Sequence, residues 1–185
     1  MREMDWPAMD EEGDADLIAR ADLRGRREGM GGGVLVSGNL EAALAALAPD
    51  APMLGLGGEC GGAPAYGVRI ARDRALLVGE APFEVRSGWH EAGFAATPAD
   101  DLWTVFTLSG AASARVIAEG TGADPGGGSP SAAVLFAGEV CLLLRRADSH
   151  VIAIETPRAW FLARWLRAVA AGLDDVASEA GFEKH

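Results

Sequence analysis

Leu35-Val36-Ser37-Gly38 and, 72 positions later, Thr107-Leu108-Ser109-Gly110 are the two stretches on which the fold of this chain turns. Each is a short extended run closed by Ser-Gly, and each leads into residues with helical spacing. After the first, Leu40, Leu44 and Leu47 fall on one helical face, and Pro49 stops the helix. After the second, a helix runs through Glu119, with Gly120 just past its end. Ser37 and Ser109 offer cap oxygens for these helix starts. A second echo lies at an offset of 75, between Leu76-Leu77-Val78-Gly79-Glu80-Ala81-Pro82 and Val151-Ile152-Ala153-Ile154-Glu155-Thr156-Pro157. Both halves therefore read strand, Ser-Gly, helix, loop, antiparallel strands, Glu-x-Pro.

This pattern predicts an α+β fold. Two ferredoxin-like split β-α-β half-repeats, about 34–86 and 102–172, form one compact domain over 31–172, with antiparallel sheets and helices on one face. The second half is the clearer one. Trp103 to Leu108 is rich in β-branched and aromatic residues. Ala132 to Ala137, Val140 to Arg145 and His150 to Ile154 are strands joined by tight turns. Thr156 and Pro157 open a helix whose stripe of Phe161, Leu162, Trp165, Leu166, Val169 and Leu173 ends at Gly172. In the first half no helix follows Pro82, and residues 80–101 read as irregular apart from a short run at Phe83 to Val85.

The ends look different. Residues 1–30 carry Asp10, Glu11, Glu12, Asp14 and Asp16 in close order and read as a loosely ordered acidic arm, with Leu17 to Leu23 as a helical turn. Residues 173–185 read as an acidic tail that frays.

Composition removes several functions. The chain has 185 residues, 16 Lys+Arg against 27 Asp+Glu, and a formal charge of −11. Such a chain repels phosphate backbones, so nucleic acid is excluded as a partner. The one lysine, Lys184, lies at the far end, which removes phosphate-loop and Schiff-base chemistry. Cys60 and Cys141 are too few for a disulfide framework or a closed zinc site. No signal peptide opens the chain and no apolar run reaches the roughly 20 residues that span a bilayer. The expectation is a cytoplasmic protein with no membrane partner.

No residue set converges on an active site, so no catalytic residue and no metal ligand is assigned. Gly55-Leu56-Gly57-Gly58-Glu59-Cys60 approaches a dinucleotide fingerprint, but Cys60 stands where the third glycine belongs. Asp100 and Asp101 are adjacent, which on an extended chain points them apart, so they read as a turn rather than an acid/base pair. Trp6, Trp89 and His90 are the candidate partner-interface residues. Trp89 and His90 lie in the polar-aromatic run Ser87-Gly88-Trp89-His90-Glu91, and Trp6 in the arm.

The order and spacing of these motifs carry a resemblance. Arg74-Ala75-Leu76-Leu77-Val78-Gly79-Glu80, the Leu108-Ser109-Gly110-helix-Gly120 element, the 132–144 hairpin and Trp160-Phe161-Leu162-Ala163-Arg164-Trp165-Leu166 resemble the gamma subunit family of heterotetrameric sarcosine oxidase, over roughly 34–171. That family is similar in fold to folate-binding aminomethyltransferase domains. The resemblance implies a non-catalytic accessory subunit of a flavoenzyme complex that oxidatively demethylates sarcosine or a related N-methyl amine. It implies larger alpha and beta subunits as partners, which would hold flavin, NAD and tetrahydrofolate, with no cofactor in this chain. Three departures stand out. The family's Gly-Cys-Pro is replaced by Gly120-Thr121-Gly122, its Asp-Val-Ser by Ala96 to Asp101, and its Asp-Glu-Trp is missing from Gly79 to Phe83. The alternative is a stand-alone folate or small-molecule binding protein of the aminomethyltransferase-like fold.

Overall fold

The structure is a computed structural model, and it describes residues 16–179. Twelve strands and three α-helices are described. The N-terminal half holds β1 (Asp16–Ala19), β2 (Arg24–Gly29), β3 (Gly32–Gly38), α1 (Leu40–Leu47), β4 (Met53–Leu54), β5 (Ala65–Ala71) and β6 (Arg74–Gly79). The C-terminal half holds β7 (Gly88–His90), β8 (Phe94–Pro98), β9 (Trp103–Ser109), α2 (Ser113–Gly120), β10 (Ala133–Phe136), β11 (Glu139–Arg146) and β12 (Ser149–Glu155). A 3-10 turn (Thr156–Arg158) then leads into α3 (Ala159–Glu179).

The strands make two six-stranded sheets of matching order. The N-sheet runs β4-β5-β6-β3-β8-β7, and the C-sheet runs β10-β11-β12-β9-β2-β1. Position by position the two are the same unit: a strand, its helix, three further strands, and a hairpin beside the first strand. All pairings are antiparallel except β4 with β5. This is the expected α+β architecture of two split β-α-β half-repeats.

The hairpins are exchanged. β1–β2 precedes β3 in the chain yet pairs with β9, with Arg26 opposite Thr107. β7–β8 precedes β9 yet pairs with β3, with Ala96 opposite Val36. Each half thus completes the other's sheet.

Alternation along the strands sorts side chains into three cores. On β9, Trp103 and Val105 face the N-sheet, while Phe106 and Leu108 face α2 and α3. The layer between the sheets holds Val68, Leu76, Val78, Leu142, Leu144 and Val151. Outside the C-sheet, Leu162 and Leu166 of α3 are fully buried over Ile152 and Ile154. Outside the N-sheet, α1 and the 80–87 segment cover Val34, Val36, Ala75, Leu77 and Phe94.

The repeated Ser-Gly has a geometric reason. Gly38 and Gly110 take φ of 102° and 100°, a region that favours glycine. A Cβ at Gly38 would sit 2.7 Å from the carbonyl oxygen of Gly93, and one at Gly110 would sit 2.4 Å from that of Asp22. Those carbonyls belong to the turns of the exchanged hairpins. Each also accepts a backbone hydrogen bond at a helix start, from Asn39 N at 2.9 Å and from Ala112 N at 3.0 Å. Capping by Ser37 and Ser109 is therefore not observed. Asn39 Oδ1 caps α1 by accepting from Ala42 N at 3.1 Å, and α2 begins without a side-chain cap.

Other expectations are corrected. The arm assigned to 1–30 contains β1 and β2 from Asp16 onward, and the helical turn over Leu17 to Leu23 is a hairpin. Its anchors are Ile18 and Leu23, both buried against the C-sheet core, and its hydrogen bonds go to the edge of β9. The irregular 80–101 stretch includes β7 and β8. Gly172 lies inside α3, which continues to Glu179. Asp100 and Asp101 do form a turn, and Asp100 Oδ1 accepts from Gly33 N at 2.8 Å.

Candidate functional site

The two ends of the inter-sheet layer are built differently. At the end where β9 starts and β12 stops, the sheets part around a groove of about 320 Å³. Leu35, Ile70 and Arg74 of the N-sheet form one wall. Leu102, Trp103, Val140 and Glu155 form the other, and Arg158 closes the mouth in an ion pair with Glu139. Trp103 Nε1 is buried without a hydrogen-bond partner among the described residues. Beside the groove lies the end of the β10–β11 hairpin. Its cross-strand pair Leu135 and Val140 is 65% and 59% exposed, an apolar tip that no described element covers.

At the other end a loop fills the space. Residues 57–60 pair with β11 where β10 leaves off: Gly57 N donates to Leu143 O, Arg145 N to Gly58 O, and Cys60 N to Arg145 O. A Cβ at Gly55 would lie 2.3 Å from Ser129 O, and one at Gly57 would lie 2.1 Å from Pro125 O. The glycines of the apparent dinucleotide motif thus serve close backbone packing against the 121–130 loop. Behind this loop lies a polar cluster. Arg146 pairs with Glu28 at 3.1 Å across the two halves. Its guanidinium also favours the ionised forms of the nearby Cys60 thiol and Tyr66 phenol.

Burial governs the chemistry of the cluster. It pushes the Cys60 thiol up, against the pull of Arg146, and the Cys141 thiol up to about 12. Neither cysteine is an activated nucleophile. Burial, with the Cys60 charge adding to it, also pushes the Tyr66 phenol up to about 12. Tyr66 is the only tyrosine in the chain, so absorbance at 295 nm titrates it alone. In the folded protein the midpoint is expected near 12, falling to about 10 in urea. The folded pKa lies above the unfolded one, so the protein loses stability as pH rises from about 10 towards 12. A folded midpoint near 10 would place the phenol in water.

The residues singled out from sequence do not come together. Trp89 is 65% exposed at the edge of the N-sheet. It points with Ala95 to one face of the sheet, while His90 points with Phe94 to the other. The His90 ring stacks on Phe94 with centroids 4.5 Å apart, and its Nε2 lies 2.9 Å from Arg86 O. Trp6 lies outside the described residues. His150 is held below its usual value, first by burial and then by Arg145. Among the described residues no group of three or more His, Cys, Asp or Glu could hold a metal. No described helix is long and apolar enough to cross a membrane. Neither the groove nor the Arg146 cluster was found in the sequence, because both join residues from opposite halves.

No family model and no curated protein matches the chain. Among solved structures, its fold is similar to that of a chain in the heterotetrameric sarcosine oxidase from Corynebacterium sp. U-96 in complex with pyrrole 2-carboxylate. The TM-score is 0.62 at 15% sequence identity, over 85% of this chain and 88% of that one. At that identity the likeness is one of fold.

Proposed function

We propose that this chain is a non-catalytic, gamma-like accessory subunit of a sarcosine-oxidase-type flavoenzyme complex. The observation that carries the reading is the extent of the fold likeness. It covers nearly all of both chains, so the two are of similar length, and the neighbour belongs to a heterotetramer. The motifs that resemble the gamma family lie on the elements that build this fold: β6, the β9–α2 unit, the β10–β11 hairpin and α3. The exposed Leu135–Val140 tip beside the groove is consistent with a chain that is covered in an assembly. Flavin, NAD and tetrahydrofolate belong to the partner subunits in this reading, and the complex is cytoplasmic. It acts on sarcosine or a related N-methyl amine.

The test is co-expression with the larger subunits of a sarcosine-oxidase-type complex from the same genome. The chain is expected to co-purify with them in fixed stoichiometry, and a flavin spectrum is expected to travel with the assembly. Leu135→Asp with Val140→Asp is expected to leave the isolated fold intact while weakening the assembly. A chain that stays monomeric beside those subunits refutes the proposal. Saturable binding of tetrahydrofolate to the isolated chain would favour the stand-alone folate reading instead.

A further inference from the structure

We infer that the groove between the sheets binds a zwitterionic amino acid with a large apolar side chain, its carboxylate held from the N-sheet wall by Arg74 and its ammonium from the C-sheet wall by Glu155. The inference concerns the chain by itself and does not rest on its being a subunit.

The groups that line the groove divide into satisfied and unsatisfied ones. The charged residues are Arg74, Glu139, Glu155 and Arg158. Glu139 and Arg158 neutralise each other in the ion pair at the mouth. Arg74 and Glu155 make no ion pair and no side-chain hydrogen bond among the described residues. They come from facing sheets, Arg74 from the start of β6 and Glu155 from the end of β12. Glu155 stands opposite Trp103 across the β12–β9 pairing, so their side chains project from the same face of the C-sheet. Trp103 is 7% exposed, and its Nε1–H is buried without an acceptor. A buried donor is normally paired, so this one calls for an explanation. The groove thus offers two donors and one acceptor between apolar walls of Leu35, Ile70, Leu102 and Val140.

That set selects a ligand by its charges. A plain organic anion is attracted by Arg74 but shares the groove with the carboxylate of Glu155. A plain ammonium is attracted by Glu155 and opposed by Arg74. A zwitterion satisfies both walls, and each wall's charge selects against the ligand that carries only one. The ligand carboxylate has two oxygens, one for the Arg74 guanidinium and one to accept from Trp103 Nε1–H. An apolar side chain covers the aliphatic walls and removes them from water. The volume of about 320 Å³ lies at the lower end of the range for small-molecule sites, which suits one amino acid.

The test is calorimetric titration of the full chain with L-phenylalanine as the probe. Saturable binding is expected with a dissociation constant on the order of 100 μM. Hydrocinnamate, which lacks the ammonium, and phenethylamine, which lacks the carboxylate, should each bind at least tenfold more weakly. Arg74→Gln is expected to weaken L-phenylalanine at least tenfold while leaving phenethylamine as before or tighter. Glu155→Gln is expected to weaken L-phenylalanine as much and to tighten hydrocinnamate. Opposite responses to the two analogues are not produced by a loss of fold. Arg74 and Glu155 are both exposed, so each variant is expected to keep the circular dichroism spectrum of the parent. Absence of saturation at about 5 mM L-phenylalanine, an analogue that binds as tightly as the amino acid, or variants that bind all three like the parent overturn the inference. The titration needs no partner subunit, so its failure leaves the co-purification result standing, and the reverse also holds.

Discussion

Cleaved within residues 82–88, the chain is expected to give two fragments that are each unfolded as monomers and that regain the parent structure when mixed. The N-terminal fragment keeps β3 to β6, but its β1–β2 hairpin has lost β9, the strand it pairs with over six residues. The free edge of its β3 has lost β8. The C-terminal fragment keeps β9 to α3, yet exposes the whole inner face of its sheet, including Trp103, Val105, Leu142, Leu144 and Val151. Fragments of this size are marginal even with a closed core, and here each surrenders one of its two sheet faces as well as a hairpin. Far-UV circular dichroism of each fragment and of the equimolar mixture, with sedimentation equilibrium, reads the outcome. A fragment that folds only as a dimer keeps the hairpin exchange. A fragment that melts cooperatively as a monomer would show that the halves are independent domains.

The same exchange explains what could and could not be read from the sequence. β11, β12 and α3 were legible because their signals are local. Val140 to Arg145 and His150 to Ile154 are largely apolar runs joined by a tight turn at Ala147-Asp148, and α3 carries a stripe at helical spacing. The duplication was legible because Ser-Gly stands at the same strand–helix corner twice. Its cause was not, since the need for Gly38 and Gly110 comes from carbonyls in distant hairpins. β2 was missed because Arg24-Gly25-Arg26-Arg27-Glu28-Gly29 has no apolar alternation. It is a strand because β9, eighty positions away, offers it an edge, and because Ile18 and Leu23 anchor its hairpin. β7 and β8 were hidden in the same way, as short runs with glycine and proline whose partner, β3, lies some sixty positions earlier. The Glu28–Arg146 pair and the groove inherit this difficulty, since each exists only after the halves interlock. The glycine-rich 55–58 run had a local look of ligand binding and a non-local purpose, because what approaches it is the backbone of the 121–130 loop.

Phe136 and Gly120 should show how tightly one such junction is packed. Phe136 is fully buried at the end of β10, with its ring edge-on to Trp165 of α3 at a centroid separation of 5.3 Å. Gly120 closes α2 and its carbonyl accepts from Ala137 N at 2.8 Å, which brings the helix end against the ring. A Cβ at Gly120 would fall 2.2 Å from the ring's Cζ. Phe136→Ala is expected to cost about 3–5 kcal/mol, because the cavity lies between α2, α3 and the hairpin and cannot readily collapse. That is a large share of the roughly 5–15 kcal/mol that holds a typical domain together. Gly120→Ala alone is expected to destabilise by about 1–3 kcal/mol through overpacking, despite the intrinsic helix preference for alanine of about 1 kcal/mol. In the Phe136→Ala background the ring is gone, the new methyl enters the cavity, and the helix preference is free to act. The same Gly120→Ala substitution should then be neutral or stabilising. Urea denaturation of the four proteins gives the coupling directly. Effects that add to within about 0.5 kcal/mol, as they do for residues not in contact, would mean that the ring does not bear on the helix end.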